Sequence, residues 1–180
     1  RSRGLGDVYK RQFQTLSIAG AMLHYMTHAI GKAMLFMTAG MIIYVLHGLR
    51  DIGKMGGLGA KMPLTLAVAL IGFMHITGIP PTMGIWSEIY IVAGSVRAFL
   101  EEGQVILGSL SLIVAIGLST AYSFVTLKRI FYGELREELL EAHDPPKSML
   151  LPALLLGVIG ILVFLYPSVF LEPLMRLKVP

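Results

Sequence analysis

The chain contains no cysteine among its 180 residues, which excludes disulfide bonds and thiolate-ligated iron–sulfur clusters on this polypeptide. Charged side chains are also scarce, at 14% of the residues, against about a quarter in ordinary soluble domains. Hydrophobic residues reach 55%. The small net charge of +4 fits basic loops beside lipid headgroups better than a nucleic-acid surface. The composition therefore predicts an integral membrane protein that binds no nucleic acid.

Four apolar stretches predict an all-α integral membrane fold, because each approaches or exceeds the roughly 20 residues of a membrane-spanning helix. Residues 1–12, RSRGLGDVYKRQ, differ from the rest of the chain, since basic residues stand among glycines there. They resemble a leader that recurs at the ends of translated environmental sequence fragments, and a basic loop is the alternative. Residues 13–180 are predicted to belong to one transmembrane transporter domain. Its predicted helices cover about residues 17–47, 63–96, 104–127 and 148–166.

The second apolar stretch is interrupted near its middle by Gly78, Pro80 and Pro81. Neither proline has an N–H to donate, so the carbonyls of residues 76 and 77 lose their helical partners. Glu88 comes seven residues after the second proline. Non-helical backbone and a carboxylate persist at membrane depth only where protein or water surrounds them. A broken helix with an acidic residue beside the break therefore predicts an ion path.

A second set of ionisable residues lies on the first helix, where His24, His28 and Lys32 recur every four residues. This spacing predicts one stripe about 12 Å long that faces the bundle interior. Imidazoles titrate near neutral pH, so the stripe favours lateral proton transfer over the alternative of plain hydrogen bonding between helices. Histidines four apart also have zinc-ligand spacing, but no third ligand lies nearby in the sequence, and we predict no metal site.

His75 stands about one turn before Pro80, close to the carbonyls that the prolines leave free. One interpretation is that its ring donates to those carbonyls and simply repairs the break. The other is that the imidazole takes part in a water-filled proton path. The sequence favours neither interpretation over the other.

Several motifs succeed one another in an order that is typical of one membrane family. They are HYMTHAIGKAMLF at 24–36, RDI at 50–52, MGGL at 55–58, KMP at 61–63 and GIPP at 78–81, running to Gly84. This pattern resembles the antiporter-like subunits of respiratory complex I. Mrp-type cation/proton antiporter subunits and membrane-bound hydrogenase subunits share that family. Glutamate at position 88, where many relatives have lysine, favours the M-type subunit (chain 4).

The resemblance implies that this chain is the C-terminal four transmembrane helices of a longer subunit, with the second of two broken helices related by an inverted repeat. Glu88 would be the key ionisable residue of that helix. His24, His28 and Lys32 would form the lateral relay. The implied partners are other membrane subunits, the lipid bilayer and protons, or Na+ in their place.

The implied function is proton translocation within a complex I-type NADH (or other donor):quinone oxidoreductase. Electron transfer would occur in other subunits, so this chain would carry no catalytic redox residue and no cofactor. One alternative is a subunit of an Mrp-type multisubunit Na+/H+ antiporter. Another is a structural membrane scaffold whose channel is inactive.

Basic residues predict the orientation, because Lys and Arg concentrate in cytoplasmic loops. The first and third loops, residues 48–61 and 128–147, hold seven of them, and the opposite side holds three. We therefore predict that both loops are cytoplasmic, that the C-terminus lies outside, and that the membrane is a prokaryotic plasma membrane. The seven residues are Arg50, Lys54, Lys61, Lys128, Arg129, Arg136 and Lys147, and the three are Arg97, Arg176 and Lys178.

Overall fold

The computed structural model describes residues 2–102 and 106–175. The described residues form helices without any strand, so the predicted all-α fold is confirmed. Short 3₁₀ turns stand at Ile52–Lys54, Leu58–Ala60 and Glu137–Leu139. The α-helices are α1 (Ser2–Val45), α2 (Pro63–Ile76), α3 (Gly84–Glu102), α4 (Ile106–Phe131), α5 (Lys147–Leu165) and α6 (Ser168–Met175).

Three segments are long and apolar enough to cross a membrane: Ser17–Val45, Ile113–Phe131 and Lys147–Leu165. The second predicted helix is instead two shorter apolar helices, Pro63–Ile76 and Gly84–Val96. The chain leaves the helical conformation between them, from Thr77 to Met83. The predicted break is therefore present, and it separates two half-helices that together replace one membrane-spanning helix.

The predicted boundaries differ from the structure at three places. Helix α1 continues back to Ser2 without interruption, whereas a leader or loop is predicted over residues 1–12; the origin of those residues stays a prediction. Helix α4 includes Lys128 and Arg129 in its last turn, while its predicted start at Gln104 lies outside the described residues. Helix α6 comes after Pro167 and has no counterpart among the predicted helices. Arg176 and Lys178, two of the basic residues on which the predicted orientation depends, also lie outside the described part of the chain.

Helix α1 is the central element, since it packs against α2, α3, α5 and α6. Glycines allow its backbone to come close to the half-helices. A Cβ atom added at Gly31 would stand 2.9 Å from the carbonyl oxygen of Gly72 in α2. One added at Gly20 would stand 2.8 Å from Cβ of Tyr90 in α3. Small residues at such contacts are the usual way in which membrane helices pack tightly.

The two basic loops pack against each other at one end of the bundle. The N–H of Gly57 donates to the carbonyl of Tyr132 at 3.1 Å, and the Arg136 guanidinium donates to the carbonyl of Gly53 at 2.7 Å. Gly57 has a φ of +64°, and a side chain there would meet the backbone of Leu135. Both loops therefore lie at the same end of the bundle. That this end faces the cytoplasm stays a prediction.

The third loop also completes the N-terminus of α2. Met62 at the cap position has no side-chain hydrogen bond to the helix. Asp144 supplies the missing acceptor, because its carboxylate accepts from the N–H groups of Leu64 at 3.0 Å and Thr65 at 2.9 Å. The Thr65 hydroxyl donates to the same carboxylate at 2.8 Å. A negative charge at a helix N-terminus is favourable both as a cap and toward the helix dipole.

We expect Asp144→Ala to lower the free energy of unfolding of the full-length protein by about 1–3 kcal/mol, because it leaves donors of the first turn of α2 without an acceptor. Glu141→Ala is the matched control, since Glu141 is an exposed acid of the same loop. Thermal unfolding in detergent measures the difference. Equal melting temperatures for the two variants would contradict the proposed cap.

Candidate functional site

The Glu88 carboxylate lies directly against the break between α2 and α3. Gly78 has a φ of +64° at this point, and a Cβ atom added to it would overlap the carboxylate of Glu88. Gly84 is packed as closely, since a Cβ there would stand 2.8 Å from the carbonyl oxygen of His75 and 2.9 Å from Cα of Gly78. Only residues without side chains fit here. The acid predicted to lie beside the break is therefore in contact with its backbone.

Glu88 is half-buried, and among the described residues its carboxylate has no hydrogen bond and no ion pair. A charge without a partner is costly at membrane depth. The backbone carbonyls beside the break, in contrast, accept hydrogen bonds from specific donors. The carboxyl group thus lacks a partner among the described residues, while the backbone around it is held by hydrogen bonds.

Two threonines supply donors to the last carbonyls before the break. Thr27 of α1 donates from its hydroxyl to the carbonyl of His75 at 3.1 Å. The Thr82 hydroxyl stands 2.9 Å from the carbonyl oxygen of Met74 and 2.8 Å from that of Ile79. Both threonines are buried, at 0% and 1% exposure. Neither threonine is among the site residues predicted from the sequence; the only local signals are that Thr82 comes after the two prolines and that Thr27 lies between the two histidines of α1.

His24 of α1 is joined to α3 through Ser87, the residue before Glu88. The Nδ1 atom of His24 and the Oγ atom of Ser87 are 3.0 Å apart. The Ser87 hydroxyl donates to the carbonyl of Gly84 at 2.7 Å. Because that hydroxyl has a single proton, its oxygen must accept from His24, so the Nδ1 atom carries hydrogen and Nε2 is left for exchange. Sequence analysis did not identify Ser87 as part of the site.

His28 extends this connection along α1. Its ring centroid lies 4.4 Å from that of His24, with the two planes tilted by 58°. Both rings are half-buried. Among the described residues no group of three His, Cys, Asp or Glu side chains has a metal-binding arrangement. The pair is therefore placed for contact between two imidazoles, with Ser87 at one end.

Lys32 does not lie in the bundle interior, where the sequence predicts it. The stripe is predicted to face the bundle interior, yet Lys32 is exposed on the surface of this chain. The reason lies in helix geometry: positions four apart drift by about 40° around the axis and positions eight apart by about 80°. The stripe therefore begins at the α3 interface with His24 and has turned away from the packed side of α1 when it reaches Lys32.

His75 is buried, but it does not donate to the carbonyls of residues 76 and 77 as one interpretation expects. Its Nδ1 atom instead bonds the carbonyl of Ile71, one turn back in α2, at 2.9 Å. Its Nε2 atom has no hydrogen-bond partner in the part of the chain that the structure describes. The ring packs against Gly160 of α5, where an added Cβ atom would overlap Nε2. The side-chain donors described beside the break are instead the hydroxyls of Thr27 and Thr82, and they bond the carbonyls of His75, Met74 and Ile79 rather than those of residues 76 and 77.

Helix α3 is also attached to the far end of α5. The indole N–H of Trp86 donates to the carbonyl of Phe164 at 3.0 Å, and the two rings lie 6.1 Å apart. Trp86 and Ser87 therefore fix the turn of α3 that carries Glu88, one toward α5 and the other toward α1.

Residues 12–119 match the protein family described as "NADH:quinone oxidoreductase/Mrp antiporter, TM". This chain belongs to that family. The resemblance noted from the motifs is therefore confirmed, and so is the prediction of an integral membrane protein.

Named relatives include both branches of this antiporter-like family. The A-type subunit of the Na(+)/H(+) antiporter of Alkalihalophilus pseudofirmus is 31% identical, over 97% of this chain and 23% of its own length. The NADH-quinone oxidoreductase subunit L of Rhodobacter capsulatus is 35% identical, over 79% of this chain and 21% of its own. The chain thus spans less than a quarter of these relatives. They are A-type and L-type subunits, so the M-type assignment stays a prediction.

A solved structure supports the fold. The structure of the Mrp complex from Dietzia sp. DQ12-45-1b contains a chain that matches with a TM-score of 0.74 at 20% identity, covering 89% of this chain and 37% of that one. At this identity the similarity shows the antiporter-like fold and nothing further.

We expect Thr27→Val to lower the free energy of unfolding by about 1–3 kcal/mol, because it leaves the buried carbonyl of His75 without its donor. Thr38→Val is the matched control: Thr38 is also buried on α1, but its hydroxyl donates to Met34 within the same helix at 2.9 Å. Thermal unfolding of the full-length variants in detergent compares the two. A loss no larger for Thr27→Val than for Thr38→Val would contradict a special role at the break.

Proposed function

We propose that this chain is the C-terminal part of a proton-translocating, antiporter-like membrane subunit, in which Glu88 carries the proton past the helix break. The observation that supports this most is the position of the Glu88 carboxylate against Gly78, without a fixed partner among the described residues. A carboxyl group can hold or release a proton where the surrounding backbone is open to water. Family membership supports the same function.

The proposed route to Glu88 runs through the imidazoles of α1. His24 would accept a proton at Nε2 and release the Nδ1 proton toward Ser87, whose hydroxyl would pass its own proton on. Each group then returns to its first state by reorientation. Water would bridge from Ser87 to the carboxyl group of Glu88, because a water-mediated hydrogen bond is nearly as good as a direct one. His28 would supply the protons to His24, since the two rings are in contact.

Lys32 would be the outer end of this route. A lysine in the middle of a membrane span faces a bundle or a water-filled cavity rather than lipid. This chain spans less than a quarter of its relatives, so other helices of the whole protein would cover the exposed face of α1 around Lys32. Protons would then enter the stripe from the part of the protein that lies outside this chain.

The whole protein would act with other membrane subunits in a prokaryotic plasma membrane, with the two basic loops in the cytoplasm. Energy would come from quinone reduction in a complex I-type enzyme, whose other subunits hold the redox cofactors. The second candidate is a subunit of an Mrp-type Na+/H+ antiporter, favoured because nearly the whole chain is similar to an A-type antiporter subunit. Transport assays with and without Na+ and with quinone reduction separate the two.

We expect Glu88→Gln, in the full-length protein assembled with its partner subunits, to lower proton transport into vesicles by at least about tenfold. Glutamine keeps the shape of the side chain but cannot release a proton, so assembly should be unchanged. Glu88→Lys should retain more activity than Glu88→Gln, because lysine can still exchange a proton. Glu141→Gln, in an exposed loop, is the control. Transport at the wild-type rate in Glu88→Gln vesicles would end this proposal.

We expect Ser87→Ala to slow proton transport by about tenfold per assembled complex, since it removes the link from His24 to α3. Its cost in unfolding free energy should stay within the about 1–3 kcal/mol of a lost buried hydrogen-bond partner. Ser123→Ala is the matched control: Ser123 is a buried serine of α4 whose hydroxyl donates within its own helix, to Ser119 at 2.8 Å. Vesicle assays on both full-length variants decide the outcome. If Ser87→Ala and Ser123→Ala transport alike, the route does not pass through Ser87.

A further inference from the structure

His75 is a buried ionisable residue that the proposed route through α1 does not use. Its side chain has 0% exposure. It belongs to the last turn of α2, one residue before the helix ends at Ile76. Neither His24 nor His28 is in ring contact with it among the described residues, so it is a separate group on another face of the break.

The hydrogen bonds of His75 define which nitrogen can take up a proton. The carbonyl of Ile71 can only accept, so Nδ1 must carry hydrogen in both the neutral and the charged ring. In the neutral ring Nε2 therefore carries a lone pair and can only accept, and it has no hydrogen-bond partner in the described protein. Leaving such an acceptor buried without a donor costs about 1–3 kcal/mol. A leucine or methionine would fill the same space without that cost, so packing alone does not account for the imidazole.

Gly160 makes the room for this nitrogen. An added Cβ atom at Gly160 would overlap Nε2 of His75, so the ring enters a notch in α5 that any side chain would close. Gly157, one turn earlier, is close to Met34 and Ile71 in the same way. The notch thus places the edge of the ring that carries Nε2 at the interface between α2 and α5.

The end of α2 can also accommodate a positive charge. The C-terminal end of a helix carries about half a negative charge and favours a cation in its last turn. His75 is the basic residue of that turn. When a proton binds to Nε2, the Nδ1 hydrogen stays on the carbonyl of Ile71 and the ring becomes an imidazolium facing this dipole. No other group has to change its protonation state for the step to balance.

Other charged groups do not contact the ring. Helices α1, α3, α4 and α5 and the 3₁₀ turn at Leu58–Ala60 pack against α2, and Asp144 caps its opposite end. Among the described residues no charged or histidine side chain of these elements has a hydrogen bond, ion pair or ring contact with His75. These side chains include His24, His28 and Lys32 on α1, Glu88 on α3, Lys128 and Arg129 on α4, and Lys147 on α5.

We propose that Nε2 of His75 is a second proton-binding site, lying between α2 and α5 on the other side of the break from His24. This inference rests on the proposed function. Gly78 comes three residues after His75, just beyond the end of α2, and Glu88 contacts Gly78. A proton on His75 therefore places a positive charge beside the break and favours release of the proton from Glu88 through space. His75 would thus hold a proton itself, and its positive charge would favour the deprotonated form of Glu88.

Two variants of His75 test this in the full-length protein assembled with its partners. His75→Met fills the notch without a basic nitrogen. His75→Asn retains an amide N–H that can donate to Ile71 but has no basic nitrogen. Both should lower proton transport by about tenfold, with assembly and melting temperature close to wild type. Solid-state NMR of ¹⁵N-histidine-labelled protein should show one Nε2 signal that becomes protonated as the pH falls and that is missing from both variants.

Glu88→Gln, measured in parallel, distinguishes failure of this inference from failure of the proposed function. If Glu88→Gln stops transport while either His75 variant transports within about twofold of wild type, His75 is not a proton site and the function stands. An Nε2 signal that keeps its neutral chemical shift at every pH overturns the inference equally. If Glu88→Gln itself transports normally, the proposed function fails first.

Discussion

Backbone carbonyl and N–H groups must find partners inside a bilayer, because hydrocarbon offers none. The last carbonyls of a helix that ends within the membrane have no partner in that helix, so they need donors from elsewhere in the protein. Helix α2 ends in this way at Ile76. The hydroxyls of Thr27 and Thr82 meet part of this need. Since Thr27 belongs to α1, the packing of α1 supplies the donor for the carbonyl of His75. The close glycine contacts between α1 and the two half-helices allow α1 to approach the break.

The packing that stabilises the break also brings the ionisable groups together. The face of α1 that supplies Thr27 supplies His24 one turn earlier, and His24 bonds Ser87 in α3. Ser87 is the neighbour of Glu88, so the hydrogen bonds that support the break and the proposed route for protons share one interface. Trp86 attaches the same turn of α3 to α5. The carboxyl group of Glu88 therefore stands on a segment that is attached on two sides, while the group itself has no hydrogen-bond or ion-pair partner among the described residues.

Features that depend on neighbouring residues could be predicted from the sequence. Proline chemistry predicts the break at Gly78–Pro81, and its spacing from Glu88 predicts their contact. The partners that complete the site could not be predicted, since they lie far apart in the chain: Ser87 is 63 residues from His24 and Asp144 is 79 from Thr65. A serine or an aspartate has no local pattern that indicates such a contact. The exposure of Lys32 depends on which side of α1 is packed, and four-residue spacing alone does not contain that information.

The cap at the beginning of α2 has a mechanical consequence. Asp144 ties the first turn of this helix to the loop between α4 and α5, and the last turn is tied to α1 through Thr27. With 14 residues, α2 is a stiff rod about 21 Å long. A shift of the loop between α4 and α5 would therefore tilt the whole of helix α2. Its other end, at Ile76, lies two residues before Gly78, so such a tilt would be transmitted to the contact between Gly78 and Glu88.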